Sequence, residues 1–321
     1  MIAHNCPTMG TDEMRAANRV IESGWVGQGK EVEGFENELC RYLGIPDGHA
    51  VAVSSGTAAL YLAIRQLGIE RVSYPIYTCS SVRNAIIMAN CVPCPKDVDA
   101  IDLNIVTHMF GFPNYIQSMK TPFIEDAAQA LGAKVNDRFV GTIGDYGVFS
   151  FSATKIITSG GQGGAVVSWS RDQIDEIRDF REFDMRDDLK PRFNFQMTDL
   201  QAAIGRVQLA KLGRFIERRE EIFSKYVMAG LPMLWSKKEN IEDVRYRAIL
   251  ITSKARVLVK VLALHGIRAI IPIVESELLG IKEYFPNALE LTRSLVSLPI
   301  YPNLTDEEVE FIIMVVKECL F

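Results

Sequence analysis

Phe149-Ser150-Phe151-Ser152-Ala153-Thr154-Lys155, followed by Gly160-Gly161-Gln162-Gly163-Gly164, is the stretch on which the fold turns. A run of small and aromatic residues ends at a lysine, and a glycine-rich turn separates it from a second apolar run. Residues 147–152 and 165–169 therefore read as a late strand pair. Working outward, residues 49–54 read as a buried strand that runs directly into a helix from Gly56 to about Leu67. Residues 72–75, 104–110 and 123–125 read as further strands. Short apolar runs alternating with helical patterns argue for an α/β domain with a mainly parallel sheet.

Beyond this region the pattern turns helical. Thr198 and Gln201 have the spacing of a capping box and open a long segment rich in Leu, Ile and Val. Near Leu231-Pro232 the pattern changes again, and residues 245–252, 254–265 and 268–273 suggest a smaller α+β unit. Thr305 and Glu308 form a second capping box, and Val309, Ile312, Ile313, Val316 and Leu320 make one apolar stripe. The expected division is a large domain over residues 1–230 and a small one over 231–321.

The chain's 321 residues, 48% hydrophobic and 23% charged, are an ordinary globular balance. That excludes disorder, collagen and coiled coil. A net charge of −5 without a basic patch argues against nucleic-acid binding. The longest apolar runs fall short of a bilayer-spanning helix. The start of the chain has neither a basic segment nor an apolar signal core. Six scattered cysteines are too few for a disulfide scaffold, so a reduced, cytoplasmic compartment is expected. Cys91-Val92-Pro93-Cys94 has redox or zinc spacing, but structural zinc wants four ligands and no second pair accompanies it.

Three sites gain meaning together. In Ser54-Ser55-Gly56-Thr57-Ala58-Ala59-Leu60 a strand enters a helix through small residues, and free amides at a helix N-terminus favour an anion. In Ile124-Glu125-Asp126-Ala127-Ala128-Gln129-Ala130 a strand ends in carboxylates. Asp126 there suits a cationic ring nitrogen, and the alanines leave room for a flat ring. The third is Lys155, whose amine, desolvated behind a buried strand, would be a nucleophile. Each also has a plain structural reading: a serine-capped turn, an aspartate capping the next turn, a solvated loop lysine. Their order describes a pocket for pyridoxal 5'-phosphate, with an anion grip, a partner for the pyridinium nitrogen and a Schiff-base lysine.

These motifs resemble the DegT/DnrJ/EryC1/StrS family of pyridoxal-phosphate sugar aminotransferases. The likeness extends from Gly24-Trp25-Val26-Gly27-Gln28-Gly29 through His108-Met109-Phe110-Gly111, Asn194-Phe195-Gln196-Met197 and Leu200-Gln201-Ala202-Ala203-Ile204-Gly205 to Leu298-Pro299-Ile300-Tyr301-Pro302. It implies a type I aminotransferase fold and a homodimer with shared active sites. By the resemblance Lys155 carries the cofactor, Asp126 keeps its ring nitrogen protonated, and Gln129 lies near its phenolic oxygen. Gly56, Thr57, Ala58 and Ser150 match the phosphate grip, Ala128 lies against the ring, and Asn194 reaches the neighbouring subunit's phosphate. The implied reaction moves an amino group from L-glutamate to a keto sugar linked to a nucleotide. Lys155 stands where the family's dehydratases carry a histidine, which favours transamination.

The chain departs from the family at four points. Cys79 occupies the place of a ring-stacking aromatic, with Tyr77 as the alternative neighbour. Gln162 stands in a glycine turn where relatives often carry glutamate, and Gln196 replaces an arginine. About a helix's worth of sequence is missing between Cys94-Pro95 and Asn104, so an irregular short crossover is expected there. His108 is expected near the pocket, and His4, His49 and His265 are expected to be structural or exposed. The rival readings are a cofactor-binding regulatory homologue, or an aminotransferase for another small cyclic ketone.

Overall fold

Apolar β-branched runs bounded by helix caps form the strands and helices of the computed structural model, which describes residues 1–114, 122–235 and 240–321. The strands are β1 (Ala50–Val53), β2 (Arg71–Pro75), β3 (Val92–Lys96), β4 (Ile105–Thr107), β5 (Ile124–Asp126), β6 (Lys134–Val135), β7 (Arg138–Phe139), β8 (Tyr146–Ser150), β9 (Gly164–Val167), β10 (Ile241–Glu242), β11 (Ala248–Ile251) and β12 (Leu295–Leu298). The helices are α1 (Thr11–Ser23), α2 (Lys30–Leu43), α3 (Gly56–Leu67), α4 (Ser80–Met88), α5 (Arg171–Arg181), α6 (Asp199–Ala210), α7 (Leu212–Met228), α8 (Ala255–Leu264), α9 (Pro286–Ser294) and α10 (Asp306–Leu320).

The central sheet has the order β1-β9-β8-β5-β4. β8, β5 and β4 pair in parallel, whereas β9 lies antiparallel to both of its neighbours. The sheet is thus mixed, with β9 alone reversed: the helix-free stretch between β8 and β9 doubles back on itself, the Phe151 amide donating to the Gly163 carbonyl and the Ala153 amide to that of Gly161, both at 2.8 Å. β2 pairs in parallel with β3 and lies alongside β4, where the Asn104 amide donates to the Ser73 carbonyl at 3.1 Å. The chain from β3 to β4 contains no helix, as the short spacing predicts. Asn104 substitutes for one, its Oδ1 accepting from the Ser73 amide and hydroxyl at 3.0 and 2.9 Å.

β1 would expose an open edge, a pairing hazard. Side chains close it instead. Glu36 accepts from the Ala52 amide, Arg181 donates to the Ala52 carbonyl, and Arg178 donates to the Ala50 carbonyl. Glu36 and Arg181 also pair with each other while buried.

Two cores lie side by side. The sheet packs against α2 and α6 on one face, where Phe35 and Phe151 meet edge to face at 4.9 Å, and against α3 and α5 on the other. A second core joins the antiparallel β11–β12 pair to α8 and α10. In α10 the predicted stripe faces inward, with Val309, Ile312 and Val316 fully buried. The Thr305–Glu308 and Thr198–Gln201 capping boxes both form, each cap contributing about 1 kcal/mol. α7 serves both cores, through Phe215 in the first and Ile222, Phe223 and Tyr226 in the second.

Candidate active site

The parallel strands end at one place, the usual location of a ligand site in an open α/β sheet. After β1 the chain turns at Ser55, whose Oγ accepts from the Ala58 amide at 3.1 Å and caps α3. The amides of Gly56 and Thr57 at the first helical positions have no intrahelical acceptor. They add to the positive end of the helix dipole. Ser150, the last residue of β8, stands directly against them: a Cβ on Gly56 would lie 3.1 Å from the Ser150 Oγ. Gly164 backs the same turn, since a Cβ there would lie 2.7 Å from the Gly56 nitrogen. Glycine at 56 and 164 is what lets three backbone segments converge into an anion cradle.

Asp126 ends β5 beside this cradle. Its carboxylate is buried and, among the described residues, accepts one hydrogen bond, from the Ala128 amide at 3.1 Å. Burial raises its pKa above the ordinary carboxylate value, and the Ala128 amide and the nearby charge of Lys155 offset that only in part. A buried acid with one amide donor and neighbouring positive charge is short of a cationic hydrogen-bond partner. Gln129, three residues on, has its Oε1 engaged by the Phe110 amide at 2.8 Å, while among the described residues its Nε2 faces only the Met109 sulfur at 3.7 Å. Gln129 thus retains donor capacity for a ligand oxygen.

Behind Asp126 lies a buried pair. Nδ1 of His108 accepts from the Asn114 amide at 2.9 Å, so Nε2 carries the proton and donates to Glu125 at 3.0 Å. Burial alone would raise the Glu125 pKa, but the His108 bond and surrounding backbone amides outweigh it, and the net shift is downward. The His108 amide also donates to the Asp126 carbonyl at 3.0 Å. The pair fixes the backbone that carries Asp126.

Lys155 is half-buried in the turn after β8, its Nζ 5.4 Å from the centroid of the Tyr246 ring. Tyr246, just ahead of β11, joins the first core because Gly111, at φ +89°, lets that segment approach: the Val244 amide donates to the Gly111 carbonyl, and the Arg247 amide to that of Phe110. Burial would raise the Tyr246 phenol, yet the positive charges of Lys155 and Arg247 leave it below its ordinary value. The start of the chain closes the group. Ile2 bridges to Ile267, Asn5 donates to the Thr154 carbonyl at 2.6 Å, and His4 Nε2 meets the Ser297 hydroxyl at 2.9 Å.

Gly56, Thr57, Ala58, Asp126, Ala128, Gln129, Ser150 and Lys155 therefore come from three chain segments to one end of the sheet. Cys79 is the exposed N-cap residue of α4. Asn194 is exposed, and the antiparallel bridge between Val53 and Gln196 sets it alongside the β1–α3 turn of its own chain. His108 lies by the pocket, as expected. His4, expected to be structural or exposed, is structural: its ring packs between Ser297 and Arg247 near the Lys155 turn, because the first residues pair with the second core. Tyr246 and Arg247 carry no local motif, and only a charge inside an apolar strand pattern singles out Arg247.

The residues fit pyridoxal phosphate, on the evidence of the glycine-lined cradle and the under-bonded Asp126. Among the described residues no His/Cys/Asp/Glu group has the makings of a metal site, and no helix is long and apolar enough to cross a membrane.

The sequence matches the model of the DegT/DnrJ/EryC1/StrS aminotransferase family over residues 7–111 and 105–317. It is 30% identical to the spore coat polysaccharide biosynthesis protein SpsC of Bacillus subtilis (strain 168), across 99% of this chain and 96% of that protein. It is also 30% identical to the GDP-perosamine synthase of Vibrio cholerae, across 97% of each chain. Among solved structures, the aminotransferase TlmJ from Streptoalloteichus hindustanus superposes with a TM-score of 0.90 at 26% identity, covering 100% of this chain and 99% of that one.

Proposed function

As the chain belongs to the DegT/DnrJ/EryC1/StrS aminotransferase family, whose members depend on pyridoxal phosphate, we propose that it moves an amino group from L-glutamate to a nucleotide-linked keto sugar. The observation that carries this reading is the pairing of a buried, under-bonded Asp126 with Lys155, whose charge reaches it across the same pocket. Relatives named for polysaccharide biosynthesis and for GDP-perosamine synthesis support a sugar acceptor.

Pyridoxal phosphate, when bound, supplies the electron sink that makes the α-proton of an amino acid acidic. The chain's residues do the rest. The α3 amides and Ser150 bind the phosphate through hydrogen bonds and the helix dipole. Asp126 holds a proton on the ring nitrogen by a charge-assisted bond, and its low-dielectric surroundings strengthen that bond. Gln129 donates from Nε2 to the ring's phenolic oxygen. With the cofactor bound, the Lys155 Nζ would be the group that accepts the donor's α-proton and gives it back, a general acid–base. Tyr246 covers the lysine on one side and limits its access to water. Asn194, exposed on each chain, completes the phosphate grip of a partner in a homodimer, and the enzyme works in the cytoplasm.

The test is the visible spectrum of the holoenzyme during titration with L-glutamate, followed by nucleotide keto sugars. Glutamate should shift the cofactor band with release of 2-oxoglutarate, and a suitable keto sugar should restore it. A band that responds to another amino acid and not to glutamate overturns the donor. Restoration by 2-oxoglutarate but by no nucleotide keto sugar overturns the acceptor.

A further inference from the structure

We infer that Arg247, held in place by His4, is the anchor for a carboxylate of the amino donor and so sets donor choice. The inference rests on the reading above for the existence of an acidic amino donor. Its basis is an arginine without a counter-ion. Among the described residues the half-buried Arg247 guanidinium pairs with no carboxylate. Its side-chain contacts are His4 Nε2, 3.2 Å from Nη1, and the Tyr246 ring, 5.1 Å from Cζ.

The surroundings deepen the deficit. Arg268 and Arg219 add positive charge around His4, and Arg219 is itself buried on the carbonyls of Tyr246 and Ile300. Converging cations with low-dielectric walls focus a positive potential, which an anionic ligand relieves. His4 does not supply the missing charge. Its Nε2 accepts from Arg247, a donor-only group, and contacts the Ser297 hydroxyl, so its proton sits on Nδ1 and the ring is neutral. Burial, reinforced by Arg247, holds its pKa down at about 3. His4 therefore engages Nη1 and leaves the rest of the guanidinium fork for bidentate contact with a carboxylate.

Position makes that carboxylate a substrate's. Lys155 Nζ and Arg247 Cζ lie 5.4 and 5.1 Å from the centroid of one ring. One small dicarboxylic amino acid can span the two. The mount is firm, since the Arg247 amide is bonded to the Phe110 carbonyl and the Asn5 side chain ties the first residues to Thr154. A lysine at 247 would keep the charge but lose the planar fork.

The experiment uses the holoenzyme of the natural chain and of Arg247→Gln and Arg247→Lys. Two quantities are read: the half-saturating concentration of L-glutamate in the cofactor spectrum, and the melting-point increase given by glutarate, a dicarboxylate with no amine. Arg247→Gln should raise half-saturation by about 10²-fold and abolish the glutarate effect, with the cofactor band in the absence of donor unchanged. Arg247→Lys should fall between. Unchanged half-saturation together with an undiminished glutarate effect in Arg247→Gln overturns the anchor. Should glutamate leave the natural enzyme's spectrum unmoved while glutarate still stabilises it through Arg247, the donor reading fails and the anchor stands. Should Arg247→Gln not fold, Arg247→Lys decides: glutamate and glutarate responses equal to those of the natural chain overturn the inference.

Discussion

Gly56 lies so close to Ser150 that a Cβ on the glycine would stand 2.8 Å from the serine Cβ. That contact sets the first amides of α3 beside the end of β8. Gly56→Ala should force the two segments apart, at a cost of about 1–3 kcal/mol for overpacking. Cofactor affinity should fall at least about tenfold, since each such loss of 1.4 kcal/mol in binding is a factor of ten. Thermal unfolding and cofactor titration would check the two effects separately.

Lys155 and Asp126 should separate by readout. Lys155→Ala should lose transamination and the holoenzyme's absorbance band while the melting point of the cofactor-free protein stays close to that of the natural chain. Asp126→Asn should retain the band but lower kcat by about 10²–10³-fold, the usual cost of removing one preorganised electrostatic contact. Stopped-flow spectra with L-glutamate would measure both.

Glu125 is silent in the chemistry but not in the fold. Its carboxylate takes the His108 bond and the amides of Ile143 and Gly144 at 2.6 and 2.8 Å. Glu125→Ala strands these donors and should cost about 3 kcal/mol. The folded Glu125 pKa lies below its ordinary 4.5. Its contribution is thus fully present above pH 4.5 and is lost as pH falls through the folded value. Denaturant midpoints of the two proteins should converge in acid.

His4 acts in a neighbouring pH window. Folded His4 stays unprotonated down to about pH 3, whereas the unfolded residue gains a proton near its ordinary 6.5. The unfolded chain binds more protons between those values, so stability must decline as pH falls from 6.5 toward 3. The charges facing the ring are Arg247, Arg268 and Arg219, all positive. His4→Gln should flatten that part of the stability profile, measured as melting point against pH.

Asn194 gives a test of shared sites. Neither Lys155→Ala nor Asn194→Ala alone should be fully active. Mixed dimers of the two should regain activity, since one of their sites then combines a natural Lys155 with a natural Asn194. No gain on mixing would assign Asn194 to its own chain's phosphate grip, beside which its backbone runs.

Much of this molecule is local. The helix from Gly56, the capping boxes at Thr198 and Thr305, the strands ending at Asp126 and Ser150, and the helix-free stretch before Asn104 follow from hydrophobic period, caps and spacing. Those signals act within a few residues. Asp126, Lys155 and the Gly56 turn were legible for the same reason, since each sits at a strand end with a recognisable neighbourhood.

What the sequence by itself determined is therefore the cofactor chemistry: which residues end the strands, in what order, and that the order matches an anion grip, an acid and a lysine. Tertiary structure alone decided what surrounds that chemistry. The reversal of β9 depends on the pairing of Phe151 and Ala153 with Gly163 and Gly161, and the meeting of Gly56 with Ser150 depends on sheet order. The approach of Tyr246 and Arg247 needs a left-handed Gly111, and His4 reaches Arg247 across 243 residues of chain. Contacts between distant segments depend on how helices and sheet pack, and hydrophobic period carries no record of which buried faces will meet.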